Sequence, residues 1–590
     1  MTSPEGFFDA RGSAEHFEPG WKRSIPRRFH PGTGWYWDFN EAEPQDWSSE
    51  DANEQSANDD WEEGDETVVN EAPVADPVPI IRIHPRISQL TTEAQQMLID
   101  AEVPFYQRAG ELVRPIARTV RAAHGRLTKT VQLKSINRVY MRDTLCRHAR
   151  WQRFDARKQE WAWAVAPMNV ADTLLARDGV WPFADIVGVI ACPTMRPDGS
   201  LLVKQGYDKA TRLILVEPPP MPGISDQPTR EDALRALALL EGLVCESPFE
   251  DDASKSVALS GLITPVVRGA MTVVPMHVSS APTAGTGKSF LWDLAAAIST
   301  GHRRIPVISA GNEEETEKRL GGILLTGQPL ISIDNVNGPL KGEFLAQAIE
   351  QHHLDLRPLG GSRIVKVEAG STSIYATGNN IIIVGADLCR RAITCRLDAK
   401  LEAPQLRQFK NDPIRAILRD RGKYIAACLT ICRSYVVAGH PGKLPRLNSF
   451  EGWSDLVRSA LVWLGKSDPL DTLEEMKAED PERELLGELL QAWAKHHGVG
   501  FGSAVPLKVI VEKAEKMHLA GGFAARSEPV FPELNVAVRA ASETIGNAKI
   551  DVRTFGNWCR GNKGRIVEGF LLKNKPSNRG GAATWWVERQ

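Results

Sequence analysis

Nowhere in this chain does an uninterrupted apolar run approach the roughly 20 residues that cross a bilayer as a helix, which excludes a helical membrane protein. The N-terminus lacks the short apolar core of a secretory signal, so the cytoplasm is the expected compartment. Eight cysteines are scattered without a single CxxC pair, which speaks against a disulfide framework and a structural zinc site. Cys428 and Cys432 stand four apart in an apolar helical pattern and read as core, while Cys146 and His148 have no second ligand pair. No internal period is visible, which excludes solenoids and propellers. Basic residues are missing altogether between Pro31 and Ile81, a stretch that holds about fifteen acids.

What is present fits a soluble protein of several domains. The apolar fraction, 42%, suits ordinary cores, and 590 residues suffice for roughly three or four domains. The net charge of −3 conceals an asymmetry: outside the acidic stretch the chain carries about +12. A basic body with an acidic arm suits a nucleic-acid binder whose arm is solvated or competes for a basic groove. A plain solvated tail is the other reading.

Residues 1–80 read as a disordered acidic arm, in which Trp35, Tyr36 and Trp37 are either a docking motif or isolated aromatics. Residues 81–225 read as an α+β domain. Alternating runs such as Gly199–Val203 and Arg212–Val216 are interrupted there by helical patches at Thr92–Ala101 and Met168–Arg177. A proline run, Pro218–Pro222, closes that domain. Residues 226–265 are a helical lead-in, with Thr229-Arg-Glu-Asp as the start signal of a helix to Leu243 and a second helix over Ser254–Val267. Residues 266–475 hold an α/β core running to about Leu397, then helices over Ile414–Val436 and Trp453–Leu464. Residues 476–590 mix helix with a strand-rich, basic end.

The most specific chemistry lies in Ala281-Pro-Thr-Ala-Gly-Thr-Gly-Lys-Ser289. Met276 and Val278 lead in as a strand, and Phe290–Ile298 follows as a helix; strand, glycine loop, helix is the context of a phosphate-binding loop. Gly285, Thr286 and Gly287 offer backbone N–H groups to phosphate, Lys288 a cation for the β- and γ-phosphates, and Ser289 a hydroxyl for Mg²⁺. The expected cofactors are ATP and Mg²⁺. Pro282 stands where such loops usually begin with glycine. About 45 residues on, Pro329-Leu-Ile-Ser-Ile-Asp-Asn335 reads as a buried strand ending in Asp334, a second Mg²⁺ carboxylate.

The residue after Asp334 is Asn335, a poor base. Glu314 or Glu315, following the β-like run Ile305–Ser309, would substitute at the carboxyl end of a neighbouring strand. An acidic first helical turn is the plain alternative for the same residues. Ser373–Asn380 is a third strand whose terminal Asn379 or Asn380 can sense the γ-phosphate. Arg390 and Arg391 then suit an arginine finger acting on a neighbouring subunit's ATP, or a surface salt-bridged pair.

These four elements together resemble AAA+ ATPases, and most closely the phage- and mobile-element-encoded replicative helicases of superfamily 3 and the poxvirus-type helicase-primases. Tyr106–Arg114, Pro197-Asp-Gly-Ser and Gly206-Tyr-Asp208 are similar to the region before the ATPase in prophage helicase-primases. Trp453–Arg458 and Trp463-Leu-Gly465 are similar to the segment after it. The resemblance covers about residues 80–475. It implies an α/β fold: an AAA+ P-loop core, a preceding α+β domain and a C-terminal winged-helix-like domain. It also implies a homo-oligomeric ring, a hexamer, with ATP between subunits. No primase carboxylate constellation is found upstream.

The resemblance implies a hairpin before the sensor strand that enters the ring and grips single-stranded DNA. Leu354–Glu368 supplies two alternating runs around Gly360-Gly361, with Arg357, Arg363 and Lys366 as phosphate contacts. At the C-terminus, Val552–Arg560 has helical spacing, and Gly564–Leu572 and Ala583–Val587 read as two strands joined by a basic loop. Nine bases against three acids from Lys549 onward suit duplex binding, with Arg553, Arg560, Lys563 and Arg565 as candidates. Three functions stay open: a DNA helicase or translocase, an AAA+ initiator or loader that does not unwind, and a small-molecule kinase.

Overall fold

The computed structural model describes residues 27–30, 34–37, 66–68, 78–121, 127–309, 313–336, 338–357, 364–368, 372–473, 480–519, 527–546, 548–576 and 582–590. The chain divides into two units, Met1–Glu63 and Gly64–Gln590. In the first, Arg27–His30 and Gly34–Trp37 pair as an antiparallel hairpin. Both segments carry aromatic residues, which favour strands. A further short strand, Glu66–Val68, belongs to the second unit and pairs with Glu111–Arg121. The rest of 1–77 lies outside the described residues.

Five parallel strands organise the second unit. In chain order they are Met276–Ala281, Val307–Ser309, Leu330–Val336, Ser373–Asn379 and Ala392–Arg396. Across the sheet the order is second, third, fourth, first, fifth. The central strands are buried almost to their ends, as a parallel sheet covered on both faces requires. Burial stops where polar residues begin, at Asp334 and Asn379. The order has one direct consequence. The fourth strand lies between the first and third, so its polar end sits between the glycine loop and Asp334.

Behind the sheet, His277, Trp292, Tyr375 and Trp453 pack as one aromatic cluster. Each finds a polar partner, as buried rings with polar atoms must. Trp292 donates to the Ala376 carbonyl (3.2 Å), Tyr375 to that of Gly261 (2.8 Å), and His277 and Trp453 share the Ser260 hydroxyl. Cys428 and Cys432 are fully buried core residues.

Helix Arg230–Leu243 opens with a capping box in which Thr229 and Asp232 satisfy each other's backbone N–H. The single helix expected over Ile414–Val436 is two, Pro413–Arg419 and Arg421–Val437, because Asp420 leaves the helical region (φ −141°, ψ 62°).

Residues 78–216 form small sheets and helices around two cores of their own. Two arginines, Arg108 buried and Arg421 half-buried, fasten this region and the following helices onto the central sheet. Arg108 donates to the carbonyls of Leu324 (2.8 Å) and Leu325 (3.3 Å) at the end of helix Glu313–Thr326. Arg421 donates to Ile298 (2.9 Å) at the end of helix Lys288–Thr300, and to Ala191. Each bonds carbonyls in the last turn of a helix, where intrahelical partners run out. Burial lowers the Arg108 pKa to about 10.

The C-terminal region has a separate core around Trp493, Phe555 and Trp585. Helix Val552–Gly561 precedes strands Phe570–Lys575 and Thr584–Arg589, which pair antiparallel; Val505–Pro506 adds to the far side of the last strand.

Candidate functional site

The glycine loop joins a wholly buried strand to helix Lys288–Thr300. Gly285 (φ 76°) and Gly287 (φ 103°) occupy the left-handed region that only glycine enters freely. A Cβ at Gly285 would also lie 2.8 Å from the Gln405 Cβ. Pro282 is exposed at the loop's start, and the turns toward a phosphate fall to the two glycines instead. Thr286 is buried, its hydroxyl donating to the Thr283 carbonyl (2.8 Å).

Lys288 Nζ donates to Thr283 O (2.8 Å) and to Asn379 Oδ1 (2.6 Å). Burial pulls its pKa below the usual lysine range, and Asp334 opposes that shift. Ser289 Oγ donates to Asp334 Oδ1 at 3.0 Å. A hydroxyl and a carboxylate so placed are the hard-oxygen donors that a small divalent cation takes. Asn380 has φ 43°, and its N–H reaches the Ala281 carbonyl (3.0 Å), tying the fourth strand to the start of the loop.

Thr377 escaped the sequence reading. Its hydroxyl donates to Asp334 Oδ1, accepts the Asn335 N–H (3.3 Å) and lies 3.5 Å from Ser289 Oγ. The available signal was periodicity, since Thr377 is two residues before Asn379 and shares its face. Gly378 between them is required by space: a Cβ there would lie 2.4 Å from the Val336 carbonyl oxygen. Asp293 was missed as well. It lies one helical turn beyond Ser289, accepts the Ile305 N–H (2.9 Å), and has its pKa pushed up to about 6, mainly by burial.

Beside the loop lies a cavity of about 300 Å³, lined by Gly285, Phe290, Pro248, Arg407 and Phe409. Arg407 stacks on Phe409 (5.1 Å) and donates to the Glu246 carbonyl (2.6 Å). The same cavity is lined by the charged Glu246, Arg303 and Asp412, and its two phenyl rings beside the glycine loop are a wall on which a planar ring can stack.

The other sequence candidates are placed as follows. Ser309 pairs with Asp334 at the carboxyl ends of their strands, and the helix bearing Glu314 and Glu315 begins at Glu313. Glu314 pairs with Lys318 (2.7 Å) and Glu315 with Arg319 (3.1 Å), both as exposed i,i+4 pairs. Arg391 is buried and paired with Glu350 and Asp387. Arg390 is half-exposed and meets the same Glu350 at 3.0 Å. Glu350 also accepts the Ser449 hydroxyl.

The expected hairpin has antiparallel strands His353–Leu356 and Val365–Glu368; its tip, with Arg363, lies outside the described residues. Arg357 and Lys366 are exposed, and Lys366 faces Asp355 in register. At its base Glu368 forms a two-pronged pair with Arg212 (2.7 Å each). In the C-terminal region Arg553, Arg560 and Lys563 are exposed, whereas Arg565 is half-buried, bonded to Asn562 (2.8 Å) and within 3.9 Å of Asp480.

No family model matches this chain, and no curated protein does. Among solved structures it has a weak likeness to the crystal structure of the JCV helicase bound to an acetamide compound. Identity is 13% and the TM-score 0.17, over 45% of this chain and 73% of that one. The chemistry of the site is therefore read from its own geometry. Among the described residues, no helix is long and apolar enough to cross a membrane.

Proposed function

We propose that the chain is an ATP hydrolase of the AAA+ type that moves along DNA as a helicase or translocase. The observation carrying this reading is the polar cluster at the carboxyl ends of three adjacent parallel strands: Lys288 on Asn379, and Ser289 and Thr377 on Asp334. The fourth strand pairs with the first on one side and the third on the other, so the candidate phosphate and metal donors converge on one edge.

In this reading Lys288 neutralises the β- and γ-phosphates, and Asn379, now bonded to Lys288, is released toward the terminal phosphate. Ser289 and Asp334 hold Mg²⁺, which supplies charge neutralisation of the phosphoryl group when bound. Glu314 or Glu315 is the base, after release from its lysine or arginine partner, and Arg390 reaches the site of the neighbouring subunit in a ring, a hexamer. Arg357, Arg363 and Lys366 contact the tracked single strand; Arg553, Arg560 and Lys563 contact duplex from a winged-helix-like unit. The similarity of the flanking motifs to prophage helicase-primases supports a role in replicating a phage or integrated element. A loader or initiator that hydrolyses ATP without unwinding is the second reading, favoured by Asp355, an acid directly opposite Lys366 in the hairpin register.

Strand displacement on a forked substrate tests the proposal. Wild-type protein should unwind it with ATP and Mg²⁺, and Lys288→Ala should abolish both unwinding and ATP turnover, because Lys288 is the cation that the loop itself supplies to the β- and γ-phosphates. DNA-stimulated ATPase without displacement would leave the loader reading. Turnover in Lys288→Ala near the wild-type rate would remove the P-loop assignment.

A further inference from the structure

The three-stranded sheet formed by Ile80–Ile83, Arg150–Asp155 and Glu160–Ala164 is two-faced. One face carries Ile81 and Trp151, which are buried in the core beneath. The other is open. Register places Arg82, Gln152 and Trp163 in one row across it, and Phe154 beside Trp161 in the next. Trp163 is 63% exposed, Phe154 43% and Trp161 38%. Large rings are rarely left in water on one face of a small sheet without a partner.

The details of this face select the partner. Arg82 lies over the Trp161 ring at 4.9 Å, and Phe154 meets Trp161 edge-on at 5.5 Å, so Trp161 is held in place. Trp161 and Trp163 are two residues apart on one strand, about 7 Å, which presents two separate rings along a line. Gln152 sits among them with an amide able to meet base edges. The open face and its turn carry four bases, Arg82, Arg150, Arg157 and Lys158, against Asp155 and Glu160; Arg153, between Gln152 and Phe154, stands on the opposite face. Asp155 is engaged by the backbone N–H groups of Arg157 (2.9 Å) and Lys158 (3.4 Å). Rings interleaved with guanidinium groups and an excess of cations fit a polyanion with exposed π-faces rather than an apolar protein surface.

We infer that this face is a stacking platform for single-stranded nucleic acid, distinct from the hairpin and the C-terminal basic unit. Two bases stack on Trp161 and Trp163, Phe154 buttresses the first, and Arg82 and Arg150 follow the backbone. A duplex hides its base faces and is not a ligand here. The choice of nucleic acid rests on the motor reading above, but binding to this face needs no nucleotide, so the two are tested apart.

The experiment uses the full chain without ATP. A short oligothymidine carrying 5-iodouridine is photocrosslinked, and adducts are mapped by mass spectrometry; they are expected in residues 154–163. Trp161→Ala with Trp163→Ala should weaken oligothymidine affinity about 5- to 150-fold per ring, with duplex affinity unchanged. The two Trp→Phe changes together should stay within about twofold, since a π-face remains. The Lys288→Ala protein should crosslink as the wild type does, which separates failure of this platform from failure of the ATPase. The inference is overturned by adducts that avoid residues 154–163, or by unchanged single-strand affinity in the double alanine variant. An equal loss for duplex and single strand also overturns it. So does a changed oligomeric mass in that variant with DNA binding intact, which would make the face a contact between copies.

Discussion

Thr377 offers the sharpest test of the site. Replacing it with valine keeps the shape and removes one hydroxyl. That hydroxyl is buried, donates to Asp334 Oδ1 and accepts the Asn335 N–H. Its loss leaves the Asn335 N–H without that acceptor and frees Asp334 to rotate. A hydrogen bond to a charged group contributes about 1.5–3 kcal/mol, so the variant should lose stability of that order. Groups that orient a metal ligand typically change metal affinity or activity about 10–100-fold when removed. ATPase measured against Mg²⁺ concentration should therefore show a half-saturation shifted up about 10–100-fold in Thr377→Val. Binding of nucleotide in chelator should be little changed, because Lys288 and the loop are untouched. Thr377→Ser keeps the hydroxyl and should stay near wild type. A Thr377→Val protein with the wild-type Mg²⁺ dependence would falsify the role given to this hydroxyl, and with it the pairing of Ser289 and Asp334 as one cation site.

Three further outcomes follow from the same geometry. If Glu314 or Glu315 supplies the base, its change to Gln should cut hydrolysis about 10²–10⁴-fold with ATP binding retained; an exposed i,i+4 pair alone contributes only about 0.3–0.5 kcal/mol, so normal turnover in both variants moves the base elsewhere. Arg390→Ala should fold normally and regain some activity when mixed with Lys288→Ala protein, whereas Arg391→Ala, which removes a buried partner of the half-buried Glu350, should cost about 1.5–3 kcal/mol of stability; no recovery at any mixing ratio, despite co-assembly, refutes a finger acting between subunits. Asp293, with its folded pKa raised from 3.8 to about 6, holds a proton more tightly when folded, so its contribution to stability declines as pH rises from about 4 to 6 and is absent at 7. Asp293→Asn should flatten that slope, a change of about 2–3 kcal/mol between pH 4 and 7 in metal-free urea melts; an unchanged slope would place the titration on another group.

What the amino-acid order determined by itself was local. A glycine loop between a buried strand and a helix is recognisable because its parts are contiguous and each obeys a short-range rule: left-handed φ at Gly285 and Gly287, burial in Met276–Ala281, an apolar helix face from Leu291. Asp334 and Asn379 were legible for the same reason, each closing a buried run at a strand's polar end. The hairpin strands and the helix with two strands at the C-terminus were readable from alternation and turn residues. What only the tertiary structure decided depends on strand order and on partners far apart in sequence. Inserting the fourth strand between the first and third turned Thr377 into a ligand of Asp334, 43 residues away. Glu350 gathered the neighbours Arg390 and Arg391 and the distant Ser449 onto one carboxylate, and so separated a buried arginine from a half-exposed one. The segment Glu160-Trp-Ala-Trp-Ala alternates along a strand, but which side meets water was settled by Trp151 and Ile81 packing on the helices beneath. Periodicity divides a strand into two faces; only long-range packing chooses the one that is buried.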